Sequence, residues 1–323
     1  MRLFILTTAL IISTVTVSAQ KDTLIHKLDS LQKKTDQPGE QASLNKTDPS
    51  DYNENTKITF KNYFSLLASD VKQSFLKPFH IKSRDWKYIG LFAATEVGLS
   101  FADKPLQREV LEMRKTHPGI NNVSSYVTNF GGDYEAYILG GLGAYGFIFK
   151  NEKVKTTTLL ASQAYITGAA LESVMKFITG RERPYTVNPD LVEANPTFHG
   201  PGYKGVKDAN GRNLQSSFPS GHATVAFAAA TVFAIEYKHH PWVPILTYSA
   251  ATLIGISRIT ENKHWVTDVL AGAALGYMTG RQVANNYHRY AAIQNAKQKK
   301  GTVSMNLQYN FGTIQPGIVY HFR

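Results

Sequence analysis

The sequence predicts a mainly α fold: a helical bundle of about six core helices with a C-terminal β-hairpin. Three observations predict it. Six apolar segments of helical length recur, at Trp86–Phe101, Tyr134–Phe149, Thr156–Ile178, Ala223–Ile235, Trp242–Ile256 and Val266–Tyr277. Helix punctuation stands beside them, with Gly180 after the third and Pro219-Ser220-Gly221 before the fourth. Strict alternation appears only near the C-terminus. There Val303, Met305, Leu307, Tyr309 and Phe311 repeat every second residue, and Ile314, Ile318, Tyr320 and Phe322 keep even spacing.

Taken in order, residues 1–19 read as a secretory signal. Arg2 precedes the apolar run Leu3–Val17, and Val17-Ser18-Ala19 offers a small-residue cleavage site before Gln20. This predicts export to a bacterial periplasm or cell envelope. Residues 20–57 are polar and too poor in apolar side chains to order themselves, so they predict a flexible linker. Residues 58–300 form the helical domain and residues 301–323 the hairpin, whose second strand Pro316 marks as an edge.

Within the domain, Phe64, Leu67, Val71 and Phe75 make a stripe along Phe60–Phe79. It predicts a helix packed on the domain rather than one lying on lipid, because ordinary surface helices carry the same pattern. Asp103 and Pro105 predict the start of a separate helix, Leu106–Lys115. His117-Pro118-Gly119 is a break, Asn121–Phe130 a short amphipathic segment, and Lys150–Lys155 a charged turn. The helix begun at Val266 is expected to continue through Tyr277–Gln298. The apolar runs are mostly about 15 residues, and a membrane span needs roughly 20. Six spans after a removed signal would also turn the motifs described below to the cytoplasm. The expected form is therefore an exported bundle docked on a membrane, with an integral membrane protein as the alternative.

Composition narrows the function. There are 35 basic and 24 acidic residues, a net charge of +11 that becomes +10 without Arg2. That balance favours acidic partners such as phosphate esters or anionic lipid. No nucleic-acid-binding motif is present and the aromatics are not interleaved with a basic stripe, which sets nucleic acid aside. Cysteine is absent, so neither disulfides nor thiolate chemistry enter. No His-Glu-x-x-His and no aspartate cluster appears, so no metal site is expected. His239-His240 reads as an exposed helix end.

The chemistry concentrates in three stretches. In Ser257–Asp268, His264 and Asp268 stand four apart, which puts both on one helical face. A carboxylate there accepts the Nδ1 proton and leaves the other nitrogen as a directed base or nucleophile. Arg258 supplies a planar cationic fork for an oxyanion. Pro219-Ser220-Gly221-His222 opens a helix, where Ser220 is a plausible N-cap, Gly221 allows close approach, and free N–H groups attract an anion. Lys176 and Arg183 frame the end of the third apolar segment. Arg181 and Glu182 between them read as solvated or structural. The long connection Tyr185–Phe218 reads equally as a substrate-selecting lid and as a surface loop.

Lys-x6-Arg-Pro, Pro-Ser-Gly-His and Ser-Arg-x5-His-x3-Asp, in that order, resemble the three-part signature of the type 2 phosphatidic acid phosphatase and vanadium haloperoxidase superfamily. Every signature position is matched, over about Thr156–Tyr277. The resemblance implies a metal-independent phosphatase. His264 would attack phosphorus and form a phosphohistidine, Asp268 orient it, and His222 protonate the leaving oxygen. Lys176, Arg183 and Arg258 would hold the phosphoryl oxygens, with Ser220 and the Gly221 N–H as further donors. The implied substrate is a phosphorylated lipid such as phosphatidate, a prenyl diphosphate or a lipid A phosphate, met at a membrane surface. No cofactor is implied. The alternatives are an exported nonspecific acid phosphatase on small phosphoesters and a haloperoxidase, the one case in which the site would hold vanadate. The complete motif set argues against a non-catalytic binding protein.

Overall fold

The computed structural model describes residues 57–80, 83, 85–185, 194–203, 216–298, 302–310 and 313–321. The signal and nearly all of the linker expected from the sequence, residues 1–56, lie outside them. So does most of the 185–218 connection.

Among the described residues there are eight α-helices: α1 Phe60–Leu76, α2 Asp85–Thr116, α3 Gly119–Asn129, α4 Asp133–Ile148, α5 Glu152–Thr179, α6 Gly221–Glu236, α7 Trp242–Thr260 and α8 Val266–Gln298. The protein is mainly helical. Two strands, β1 Thr302–Asn310 and β2 Thr313–His321, run antiparallel with Thr302 opposite His321 and Asn310 opposite Thr313.

The core is built around α6, which packs against α5, α7 and α8. The sequence of α6 explains this position. Ala223, Ala226, Ala228, Ala229 and Ala230 are all buried, and small side chains let three neighbours approach closely. α8 meets α6 through Gly272, Gly276 and Gly280, one per turn. A Cβ at Gly272 would lie 2.5 Å from the Ser220 carbonyl oxygen, and Cβ atoms at Gly276 and Gly280 would overlap the carbonyl oxygens of Thr224 and Ala228. These are backbone obstacles and cannot swing aside. By contrast, α4 buries only Glu135, Leu139 and Gly146 among the described residues, so the packed centre is narrower than six equal helices.

Three local expectations are corrected. Trp86–Phe101 and Leu106–Lys115 are not separate helices; α2 runs through both, with Pro105 inside it. Asp103 does not cap a new helix because its carboxylate accepts hydrogen bonds from Arg181 and Thr267 instead. The charged segment Lys150–Lys155 is largely the first turn of α5, where the Asn151 side chain accepts from the Val154 N–H at 3.1 Å. The other end of α5 stops as expected, at Gly180 with φ 55°.

The third correction concerns the face that α1 buries, since Leu67, Val71 and Phe75 of the expected stripe are only half-buried and Phe64 is exposed. It packs against α5 and α8. Yet the residues it buries are Leu66, Ser69, Asp70, Gln73 and Ser74, whereas Phe60 is 83% exposed and Phe64 51%. Hydrogen bonds account for the buried face: Asn286 donates to Asp70 Oδ1 at 2.6 Å and Gln73 at 3.0 Å, and Gln282 donates to Ser74 at 2.9 Å. Large apolar residues also face outward on α2 (Trp86, Leu91, Val97, Phe101), α4 (Tyr137, Ile138, Ile148) and α7 (Ile245, Leu246, Leu253, Ile256).

Burial pushes the Asp70 carboxyl up to about 8, with the hydrogen bond from Asn286 opposing it. The folded chain then holds a proton that the unfolded chain releases near pH 4, so stability falls as pH rises between about 4 and 8. The isosteric Asp70→Asn carries no such proton. In thermal melts from pH 5 to 8, Asp70→Asn is expected to gain progressively on the wild type, by on the order of 1 kcal/mol per pH unit. A constant difference across that range would show that Asp70 is ionised in the fold.

Candidate active site

Four chain segments converge where α5 ends and α6 and α8 begin. The Ser220 N–H donates to the Asp268 carbonyl at 2.9 Å and ties the start of α6 to the first turn of α8. The Ser217 N–H donates to the Arg181 carbonyl at 2.8 Å and draws the segment after α5 onto the same point. The turn between α7 and α8 closes through Asn262 at φ 57°, and the Lys263 N–H donates to the Arg258 carbonyl at 3.0 Å. Asparagine tolerates that left-handed backbone better than other side chains do. From outside, Gln107 of α2 donates to the Pro184 carbonyl at 2.6 Å and to Asn262 Oδ1 at 3.3 Å, clamping both loops.

Asp268 and His264 lie at the centre. Asp268 is the third residue of α8, and its Oδ2 accepts from the Trp265 N–H at 2.8 Å, the reach-back bond of a capping box. Its side chain is 0% exposed. His264 Nδ1 stands 3.5 Å from Asp268 Oδ2 and 3.4 Å from Ser217 Oγ, and Ser217 donates to the same carboxylate oxygen. The imidazole therefore has its Nδ1 edge towards the carboxylate, leaving Nε2 for chemistry.

The predicted cations gather on His264. Arg183, Arg258, Lys176 and His222 all act on it electrostatically. His222 is the second residue of α6, and Gly132 approaches its ring from the start of α4. Arg183 donates to the Lys263 carbonyl at 3.1 Å. The cations are not a bare cluster, however. Lys176 is ion-paired with Glu172, and Arg258 Nη1 with Glu261 at 2.7 Å. Glu172 lies in contact with Gly221, where a Cβ would come 2.5 Å from its carboxylate oxygen. Both pairs sit at ordinary helical spacings, i to i+4 and i to i+3, and were readable in the sequence as such. At this site Ser220 Oγ, Arg258 Nε and Arg181 Nε are buried donors without a hydrogen-bond partner among the described residues. A buried polar atom left without a partner in a native fold marks a place for water, an ion or a ligand.

Arg181 is the residue that the sequence reading undervalued. It is not solvated but 1% exposed, and it bridges two carboxylates. Its Nη1 donates to Asp268 Oδ1 at 2.5 Å and its Nη2 to Asp103 Oδ2 at 2.7 Å. The rings of Phe198, Phe218 and Trp265 surround the guanidinium at 4.8, 5.9 and 5.8 Å. Ser217 and Asp103 were likewise missed. No local pattern points to Asp103, which lies 78 residues from Arg181.

A helical bundle thus holds a histidine–carboxylate pair among three cations, an arrangement whose charge suits an oxyanion. The PAP2 superfamily profile matches residues 157–291 of this chain. A lipid A 1-phosphatase of Porphyromonas gingivalis is 34% identical over 169 residues, covering 51% of this chain and 30% of that protein. An undecaprenyl-diphosphatase of Sulfolobus acidocaldarius is 28% identical over 159 residues, covering 49% and 66%. This chain thus spans less than a third of the first relative's length and about two thirds of the second's. A transmembrane PAP2 type phosphatidylglycerolphosphate phosphatase of Bacillus subtilis, known from its crystal structure, has 24% identity and a TM-score of 0.46, covering 62% of this chain and 94% of that one.

Burial first, then the charges of Arg183, Arg258 and Lys176, hold the His264 imidazole well below the usual histidine range. It should stay neutral down through pH 6 without ligand. Imidazole resonances of histidine-labelled protein, followed from pH 8 to 5, test this. Titration of His264 at 6.5 or above would mean that Asp268 outweighs the cations.

Proposed function

We propose that this protein is a phosphatase that removes phosphate from a phosphorylated lipid through a phosphohistidine on His264. The observation that carries the reading is one buried imidazole with a carboxylate on its Nδ1 edge and three cations around it. That arrangement suits a group carrying negative charge on several oxygens and able to accept a nitrogen nucleophile.

In this reading, Lys176, Arg183 and Arg258 bind the phosphoryl oxygens, and Ser220 Oγ, Arg258 Nε and the Gly221 N–H supply further donors. Substrate charge offsets the repulsion between the cations and a protonated His222. His264 Nε2 attacks phosphorus, the P–O bond to the leaving group breaks, and His222 gives its proton to the departing oxygen. Water then attacks phosphorus with His222 taking its proton, the P–N bond breaks to restore His264 Nε2, and phosphate leaves. Asp268 orients His264 and stabilises the positive charge that the ring acquires. We assign no metal to this chemistry. Two imidazoles among three cations repel a divalent ion, and the described residues contain no group of three or more His, Cys, Asp or Glu placed to hold one.

The lipid assignment has two supports. The relatives just described are named for lipid A and undecaprenyl diphosphate. The outward apolar residues of α2, α4 and α7, with Phe60 and Phe64 of α1, suit acyl chains and their interface. α7 is the one helix among the described residues that is long and apolar enough to cross a bilayer by length and composition. We therefore propose that the bundle sits in a membrane of the cell envelope, deeper than a docked bundle would.

The test is phosphate release in excess chelator from phosphatidate and a prenyl diphosphate in mixed micelles, beside a soluble aryl phosphate. The lipid substrates are expected to be preferred, and His264→Ala to lower release roughly a thousandfold or more. Chelator-sensitive release, or full activity in His264→Ala, would sink the histidine mechanism. Preference for the soluble ester would favour a nonspecific acid phosphatase. Halide oxidation on adding vanadate, without phosphate release, would favour the haloperoxidase. A separate pair of rates tests His222: His222→Ala should cost far more on lipid phosphate than on an activated aryl phosphate, whose leaving group needs no proton. Equal losses would remove the general-acid role.

A further inference from the structure

We propose that Asp103 of α2 is a positioning residue for this site, acting through Arg181 to keep the Asp268 carboxylate available to His264. The inference rests on the phosphatase reading for its consequence in turnover, but its electrostatic part does not.

The geometry is a buried three-member bridge. Asp103 and Arg181 are each 1% exposed, and Asp268 is fully buried. Arg181 spends one nitrogen on Asp268 Oδ1 and the other on Asp103 Oδ2. Thr267, the neighbour of Asp268, closes a second path. Its Oγ1 accepts from Arg181 at 2.7 Å and donates to Asp103 Oδ2 at 2.6 Å, while its N–H donates to Asp103 Oδ1 at 3.2 Å. Asp103 thus fixes both the guanidinium and the backbone from which Asp268 projects.

Charge gives this bridge its effect. A guanidinium paired with Asp268 alone would neutralise it and weaken its hold on the imidazole. Sharing that cation with a second carboxylate leaves the three-member group with net negative charge next to His264. Only the Oδ2 side of Asp268 then serves His264, Ser217 and the Trp265 N–H. The other charged groups around the site are Glu96 on α2, Glu172 and Lys176 on α5, Arg183 after it, His222 on α6, and Arg258 and Glu261 on α7. Glu172 and Glu261 are each taken up by a cation of their own and Glu96 acts on the same bridge, so Asp103 is one of the counterweights to the remaining positive charge. Asp103 also lies outside the residues matched by the PAP2 profile.

The experiment uses the full chain in detergent with Asp103→Asn, Asp103→Glu, Asp268→Asn and the Asp103→Asn/Asp268→Asn double variant. Asp103→Asn should lower kcat about tenfold while the inhibition constant for vanadate stays within about twofold, and Asp103→Glu should recover part of the loss. The acid limb of kcat/KM should move to lower pH by about half a unit, because the imidazolium loses a stabilising negative charge. In the Asp268→Asn background the second substitution should add little. Unchanged kcat, a full tenfold loss repeated in that background, or parallel weakening of vanadate without a limb shift would overturn the proposal. Should the wild type release no phosphate from any substrate, the phosphatase reading fails, and the His264 resonance still decides this one. It should titrate at lower pH in Asp103→Asn than in the wild type, and an unchanged titration refutes the bridge.

Discussion

The carboxylate of Asp268 has no solvent-exposed surface, and a buried anion must be surrounded by donors or it will not stay ionised. Satisfying it organises the molecule. Trp265 reaches it through the turn that starts α8, Ser217 through the segment before α6, and Arg181 through the segment after α5. Arg181 then requires its second partner from α2. One carboxylate thereby fixes the mutual placement of elements spread over more than half of the sequence. Removing one donor leaves a buried charge short of a partner, which costs more than the hydrogen bond itself.

Around that anchor the site alternates in sign. Lys176 and Arg258 each keep a carboxylate of their own, Glu172 and Glu261, at helical spacing. Like charges can then stand together in a buried place without a ligand. Ser220 Oγ, Arg258 Nε and Arg181 Nε are left over as buried donors, and in the proposed reading Ser220 and Arg258 are the ones that meet an incoming oxyanion. Binding in such a place exchanges one set of hydrogen bonds for another and demands little rearrangement of backbone.

Much of this was legible in the sequence, and for an identifiable reason. Helical segments announce themselves through local periodicity, and α5 ends at Gly180 because a left-handed cap favours glycine. The grouping of Lys176, Arg183, His222, Arg258 and His264 was legible through the resemblance carried by three ordered motifs, since tens of residues separate one motif from the next. What stayed hidden depends on long-range partners. Pro105 reads as a helix start, yet Asp103 is engaged by residues 78 and 164 positions away, so α2 runs on. The face that α1 buries is set by Asn286 and Gln282, more than 200 residues later, and no periodicity within α1 reports it. Arg181 differs from its neighbour Glu182 only through partners that no window of sequence contains.

The glycine seam between α6 and α8 bears on motion. Two helices that touch backbone to backbone have no flexible side chains between them to absorb sliding. Displacing one along the other would drive a carbonyl into a Cα at every turn, so the pair behaves as a single stiff beam carrying His222 at one end of α6 and Asp268 at the adjoining end of α8. Breathing is left to the looser periphery, above all α4, which buries so few of its side chains. Gly132, at the foot of α4, is in contact with the His222 ring. Motion of α4 would open the wall beside the His222 ring while the adjoining starts of α6 and α8 keep their spacing.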